Sequence, residues 1–432
     1  MSLIPPVKVG KLQTALHTKA KNSPGYRFYA LYDKLYRQDI LEWAFIRCRR
    51  NGGAPGVDGQ NFADIETYGQ DRWLDELTEE LRNQTYRPRP VRRVLIPKGD
   101  GKLRPLGIPC IKDRVVQMAA VLVLEPIFET DLEPEQHAYR PERNALDAVR
   151  QVERLLRTGH TEVVDADLSG YFDSIPHAEL LQSVSRRISD GRMLRLLKMW
   201  LETPVEETDA KGNHHQTTRN KDQGMGTPQG APISPLLSNI YMRRFVKGWK
   251  TGGYEKRLAA QIVNYADDFV ICCRGTADEA MTVMRGMMSK LKLTVNETKT
   301  RLCCLPDETF DFLGYTLGRN YDCRTGKSYL GPRPSRKKIV RLCREIGEMT
   351  TRKSSGRAVE VQIGRINRKL RGWSNYFRIG TVSKAYRSVE SHVRHRVRQW
   401  LCVKFKVQGN GKKRFCDHNL HQKLGLYQLR RT

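Results

Sequence analysis

Two groups of acids carry the clearest chemical signal in this chain of 432 residues. Tyr265-Ala266-Asp267-Asp268 lies between the apolar runs Ile262-Val263 and Phe269-Val270-Ile271. That pattern reads as strand, tight turn, strand, with two adjacent carboxylates at the turn. The second group is Glu162 to Asp173, where Val163 and Val164 open a strand and Asp165 and Asp167 fall on one face at period two before a bend at Gly170. Crowded carboxylates beside a sheet raise one another's pKa, and desolvation adds to the cost. A hard divalent cation such as Mg²⁺ removes that cost and takes oxygen ligands. The plain alternatives are a polar surface hairpin and a solvated edge strand.

Further residue types fit phosphate chemistry. Val91 to Lys98 reads as a strand, Gly99-Asp100-Gly101 as a hairpin turn and Lys102 to Ile108 as the return strand. Lys98 and Arg104 then flank one hairpin, a point charge and a fork suited to a triphosphate. A solvated cationic edge is the simpler reading of that hairpin alone. Gly224 to Gln229 makes a Gly/Pro-shaped turn ahead of a helix that starts near Ser234-Pro235. The Gln229 amide at such a turn can lie against a base pair and sugar. Arg140 and Arg143 could meet phosphate or template, or pair with Glu142 and Asp147.

The elements that position these residues follow from periodicity. Helical spacing covers residues 11–50, 113–128, 145–156, 177–202 and 277–291, and residues 203–223 read as a loop or hairpin. From Pro332 the chain changes character. Ile339/Leu342/Ile346/Met349, Ile363/Ile366/Leu370/Trp373/Phe377 and Tyr386/Val389/Val393/Val397/Trp400 mark three amphipathic helices. Their other faces carry Arg365, Arg368, Arg371, Arg394, Arg396 and Arg398. Residues 331–432 hold 27 Lys/Arg against 5 Asp/Glu, so this quarter supplies most of the net charge of +29. Such an excess, nearly free of opposite charge, points to a polyanionic partner.

Composition excludes several classes. The ten cysteines show no C-x-x-C spacing and suggest no disulfide framework, which favours a reducing compartment. Cys402, Cys416, His418 and His421 fit no standard zinc spacing. Met1 to Gly10 lacks the apolar core of a signal peptide, and no run of 18 apolar residues predicts a membrane span.

Taken in order, the motifs resemble the group II intron reverse transcriptase/maturase family across nearly the whole chain. Asp167-Leu168-Ser169-Gly170-Tyr171-Phe172 looks like its first palm motif, and Gly226-Thr227-Pro228-Gln229-Gly230 like its Gly-Thr-Pro-Gln-Gly motif. Tyr265-Ala266-Asp267-Asp268 matches its catalytic hairpin, and Phe312-Leu313-Gly314-Tyr315 is similar to its primer-supporting segment. Ile96-Pro97-Lys98 with Arg104 is similar to its fingers hairpin, and Gly372 to Phe377 resembles its thumb. Two departures stand out. His137-Ala138-Tyr139-Arg140-Pro141-Glu142-Arg143 replaces the usual Phe-Gly-Phe-Arg-Pro-Gly-Arg. No Cys/His endonuclease pattern follows the basic segment, so cleavage of a target strand is not expected.

The resemblance implies an α+β right-hand polymerase: fingers and a palm with an antiparallel ferredoxin-like sheet, plus a C-terminal helical thumb/maturase domain. It implies an N-terminal helical extension over 1–60, fingers and palm over 61–330 and the basic module over 331–432. It implies RNA-directed DNA synthesis, with Asp167, Asp267, Asp268 and the Leu168 carbonyl around two Mg²⁺ about 3.5–4 Å apart. Lys98, Arg104, Phe172 and Gln229 would hold the dNTP, with Phe172 as the steric gate against a 2′-hydroxyl. Arg140, Gly230, Tyr265, Lys299, Leu313 and Gly314 would follow template and primer. Partners would be intron RNA, a primed RNA template and a DNA target, for a monomer or homodimer in a bacterial-type cytoplasm, at the nucleoid when acting. A domesticated or defence-related reverse transcriptase and a splicing-only maturase are the alternatives.

Overall fold

The computed structural model describes residues 4–97, 103–209, 212–322 and 325–430. Lys98 and the Gly99-Asp100-Gly101 turn lie outside the described residues.

Four strands form the central sheet: β3 (Glu162–Asp167), β6 (Gln261–Tyr265), β7 (Asp268–Cys273) and β8 (Arg301–Cys304), in the order β6-β7-β3-β8, all antiparallel. Both faces are covered, which explains the near-continuous apolar runs. On one face Val164, Ala166, Phe269 and Ile271 join a large core with the helices Ile111–Glu129, Ser234–Thr251 and Ala277–Lys290. On the other, Val163, Val270, Cys272 and Cys303 pack with the helix Ala145–Arg157. The period-two alternation therefore sets Asp165 and Asp167 on the second face, where side-chain cover thins out toward the strand end.

Two smaller sheets flank this one. β1 (Val91–Pro97) and β2 (Leu103–Ile108) form an antiparallel hairpin with Ile96 opposite Arg104. β1 also pairs in parallel with β4 (Val205–Thr208), which turns back into β5 (His214–Thr217). The 203–223 stretch is thus a hairpin followed by one helical turn. β9 (Phe310–Phe312), β10 (Tyr315–Tyr321) and β11 (Ser328–Pro334) make the third sheet, in the order β11-β10-β9. Leu313 and Gly314, which join β9 to β10, both take positive φ, +51° and +85°. That pair of left-handed residues gives the turn whose twist suits a two-residue hairpin.

The first 50 residues do not stand apart. Val9, Leu16, Leu41 and Phe45 share the large core with Leu122 and Phe128. The C-terminal helices Arg336–Met349, Val359–Tyr376 and Ser383–Lys404 pack their apolar stripes against one another in a separate core reaching Leu429, except Phe377, which follows its helix and joins the core beside the central sheet. Among the described residues, no helix is long and apolar enough to cross a membrane. The molecule is a mixed α+β protein.

Candidate active site

The register of the central sheet brings distant acids together. Asp167, the last residue of β3, lies directly opposite Asp268, the first of β7. Asp267 completes the turn from β6, where Ala266 takes φ +58°. A left-handed alanine needs support. Asn264 supplies it: fully buried in β6, it donates from Nδ2 to the Ala266 carbonyl at 2.9 Å. Its own backbone is fixed from outside, because its N–H donates to the Glu135 carbonyl and its carbonyl accepts from the His137 N–H.

The electrostatics follow from this crowding. Desolvation, then the charges of Asp267, Asp167 and Asp165, push the Asp268 carboxyl up to about 7, and Lys299 pulls it back in part. Asp268 nevertheless keeps an exposed surface. Burial pushes Asp165 up to about 6, opposed by Arg301, whose guanidinium lies 3.6 Å away. Asp167 is wrapped by the segment 294–300. Its Oδ2 accepts from Lys299 Nζ at 2.9 Å and Asn296 Nδ2 at 3.0 Å, and its carbonyl accepts from the Asn296 N–H at 2.9 Å. Leu168 bridges to Val295 and is buried. Among the described residues no three Asp, Glu, His or Cys side chains are gathered closely enough to hold a metal ion as they lie. In chemistry the donor set suits a hard divalent cation: carboxylate oxygens only, offset in part by Lys299 and Arg301, with the Asp268 carboxyl held toward its neutral form by burial and then by its neighbours.

Beside the acids lies a second constellation. Gly170 takes φ +56° at the bend after β3, and Phe172 follows on a single helical turn, Tyr171–Ser174. The Phe172 carbonyl accepts from the Thr227 N–H at 2.7 Å. Gln229 donates from Nε2 to Asp173 Oδ2 at 3.2 Å and accepts from Arg104 Nε at 3.0 Å. Its carbonyl takes the Gly107 N–H at 2.6 Å. Gly230 has φ +114°, and a Cβ there would meet the Gly107 carbonyl at 2.5 Å. Only glycine lets the β1–β2 hairpin seat so closely, and that seating aims Arg104 at the site.

The Leu313-Gly314 turn is bolted to the C-terminal helices. Tyr376 Oη donates to the Leu313 carbonyl at 2.7 Å, and the Ser335 N–H donates to the Gly314 carbonyl at 3.0 Å. Tyr265, Leu313 and Tyr376 pack against one cluster, so this turn and the acidic turn share a foundation.

Several cations sit differently from a free nucleic-acid contact. Arg140 has a side chain 5% exposed and is taken up by Glu129 and by the Glu133 and Gln136 carbonyls. Arg143 meets the Pro134 carbonyl rather than Glu142 or Asp147. Arg396 caps the helix Arg336–Met349 through the Gly347 and Thr350 carbonyls. Arg394 and Arg398 both grip Asp417. Arg371 lies over the Tyr427 ring at 5.1 Å. Arg365 and Arg368, with Lys353, Arg357 and Lys369, line an open cavity of about 680 Å³.

Asn264, Asn296 and Asp173 were not singled out by the sequence. Asn264 had one visible signal, an amide in the middle of an apolar strand. The other two act through contacts that no local spacing reveals.

Comparison with known proteins agrees with this arrangement. Residues 96–317 match the family model described as reverse transcriptase (RNA-dependent DNA polymerase), and residues 339–418 match the group II intron, maturase-specific domain. The chain is 35% identical to protein YkfC of Escherichia coli K12 over 72% of its length and 88% of that protein. It is 28% identical to the group II intron-encoded protein LtrA of Lactococcus lactis subsp. cremoris, over 67% of this chain and 57% of LtrA. It is also 26% identical to the putative COX1/OXI3 intron 1 protein of Saccharomyces cerevisiae, over 65% of this chain and 38% of that one. It thus spans little more than half of LtrA. The two family matches, over residues 96–317 and 339–418, place the chain in the reverse transcriptase family, as a group II intron reverse transcriptase/maturase.

Proposed function

We propose that the chain extends a primer with dNTPs on an RNA template at the Asp167/Asp267/Asp268 corner, and that its basic C-terminal module grips intron RNA to assist splicing and mobility. In this reading residues 61–330 are fingers and palm, residues 1–60 pack onto them as an extension, and residues 331–432 are the thumb/maturase module. The observation that carries it is the facing of Asp167 and Asp268 across β3 and β7, with Asp267 beside them. Bound there, two Mg²⁺ would supply the positive charge that in-line phosphoryl transfer needs.

The chain's own residues do the positioning. Asn264 holds the turn that presents Asp267 and Asp268. Lys299 and Asn296 orient Asp167. The chain Asp173–Gln229–Arg104 sets the guanidinium fork where a triphosphate would lie, and Lys98 is the second cation the sequence offers for it. Phe172 belongs to the aromatic corner that gates the nucleotide sugar. Tyr265, Leu313 and Gly314 support the primer end, with Gly230 and Arg140 shaping the walls rather than reaching out. Catalysis on this account is orientation plus charge stabilisation.

Primer extension on an RNA template with Mg²⁺ and dNTPs tests the polymerase half. Asp267→Ala should abolish extension while leaving the fold intact; full activity in that variant would sink the assignment. Splicing of the cognate intron at low Mg²⁺ with the same variant tests the RNA-binding half, where enhancement should persist.

A further inference from the structure

The gate assigned to Phe172 has a gap in it. Phe172 is only 6% exposed, so it offers little ring surface to a ligand. What covers it is Tyr139, whose ring stands edge-on to Phe172 at 6.5 Å between centroids and 72° between planes. Tyr139 is 48% exposed. Tyr171 closes the other side of Phe172 at 5.7 Å and is itself buried. The open aromatic surface of this corner therefore belongs to Tyr139.

Its backbone says the placement is held on purpose. Tyr139 takes φ +55°, unfavourable for a bulky residue. Both neighbours are locked. The Ala138 carbonyl accepts from buried Asn239 Nδ2 at 2.7 Å, and Arg140 is fixed by Glu129 and two carbonyls. Two residues upstream, the His137 N–H is tied to the Asn264 carbonyl, on the strand leading into the acidic turn. Strain that persists because its surroundings over-determine it clusters where a side chain must point in one direction. The ring contact with Phe172 sets Tyr139 beside the bend after β3, and burial, then the charges of Asp267, Tyr265 and Asp268, push its phenol up, with Arg104 opposing.

We propose that Tyr139 is a sugar-discriminating residue, the outer wall against which the nucleotide's 2′ carbon packs, with Phe172 as the buried support that keeps it upright. This rests on the polymerase reading. Edge-to-face packing fixes the ring of Tyr139 without occupying the surface it presents. A ribonucleotide would press its 2′-hydroxyl into that surface, whereas a deoxynucleotide fits.

The test is single-nucleotide insertion on an RNA template, with kcat/KM measured for dATP and for ATP. Tyr139→Asn and Tyr139→Gly remove the ring with residues that tolerate a left-handed backbone, and Tyr139→Phe keeps the ring without the hydroxyl. The two ring-deleting variants should lower the dATP/ATP preference at least about tenfold. Tyr139→Phe should keep it. General damage to the fold would depress both substrates together and leave the ratio alone. An unchanged ratio in both ring-deleting variants, with Phe172→Ala losing it, would overturn the role of Tyr139 and leave the polymerase reading standing. A wild-type chain that extends no primer would overturn that reading, and this proposal with it.

Discussion

Lys299 Nζ meets the Asp167 carboxylate at 2.9 Å, across 132 positions of sequence. Under the proposed metal assignment the ammonium occupies an oxygen that a divalent ion would need, while offsetting negative charge on three neighbouring acids. A monovalent cation on a tether competes with a free divalent one. Lys299→Met should therefore shift the Mg²⁺ activation midpoint of primer extension to lower concentration, by about three- to tenfold. A midpoint that moves upward would show that Lys299 assists ion binding instead.

Asp268 carries a conflict between stability and function. Its folded value of about 7 lies above its ordinary 3.8. The stability it contributes is therefore full below pH 4 and lost as pH rises through 7. At pH 8 in EDTA, Asp268→Asn should melt higher than the wild type, although solvent in the cleft screens part of the effect. Extension should fall at least about a hundredfold. Adding Mg²⁺ should stabilise the wild type more than the variant, because ligands stabilise the state that binds them. Equal melting temperatures in EDTA would mean the acids do not repel one another.

Asp113 makes a pH prediction away from the site. It is buried, its Oδ1 accepting from Tyr86 Oη at 2.5 Å and its Oδ2 from the Arg89 N–H at 3.2 Å. Burial pushes it up to about 6, with Asp58 adding and Tyr86, Arg89 and Lys112 opposing. Its contribution is present below pH 4 and lost as pH rises through 6, up to about 3 kcal/mol at about 1.4 kcal/mol per pH unit. Asp113→Asn cannot titrate. Its unfolding free energy relative to wild type should improve between pH 4 and 7 in urea denaturation. A constant difference would contradict this.

What could be read in the sequence was whatever local spacing encodes. Period two set Asp165 and Asp167 on one face, the Gly/Pro run marked the turn before Ser234, and apolar stripes marked the C-terminal helices. What could not be read was the partner of each polar group. Arg365 and Arg396 look alike in sequence, yet one lines an open cavity and the other satisfies carbonyls at a helix end. Arg140 is claimed by Glu129, eleven residues away across a loop. The close seating of Gly230 on Gly107 needs a turn and a distant strand to meet before either glycine makes sense.

Asn264 links that hidden layer to rate. Loss of its amide frees the Ala266 carbonyl and the left-handed turn behind Asp267. Asn264→Ala should lower kcat for extension about ten- to a hundredfold with little change in KM for dNTP, since orientation suffers while substrate binding does not. A rise in KM alone would place Asn264 in substrate binding instead.

The C-terminal arginines divide into two groups by what they touch. Arg365 and Arg368 line the open cavity together with Glu345 and Glu348, and under the proposed RNA-binding role removing each guanidinium should reduce the salt slope of binding by about one. Arg396 holds the Gly347 and Thr350 carbonyls, and Arg398 holds Asp417 and the Phe415 carbonyl. Arg365→Ala with Arg368→Ala should weaken RNA binding and flatten its salt dependence without moving Tm. Arg396→Ala should lower Tm, reflecting about 1–3 kcal/mol of missing hydrogen bonding, and leave the salt slope of the folded protein unchanged. Binding titrations at several KCl concentrations, read beside thermal melts, separate the two. If Arg396→Ala flattens the salt slope at constant Tm, its guanidinium reaches RNA and the helix end is satisfied by other means.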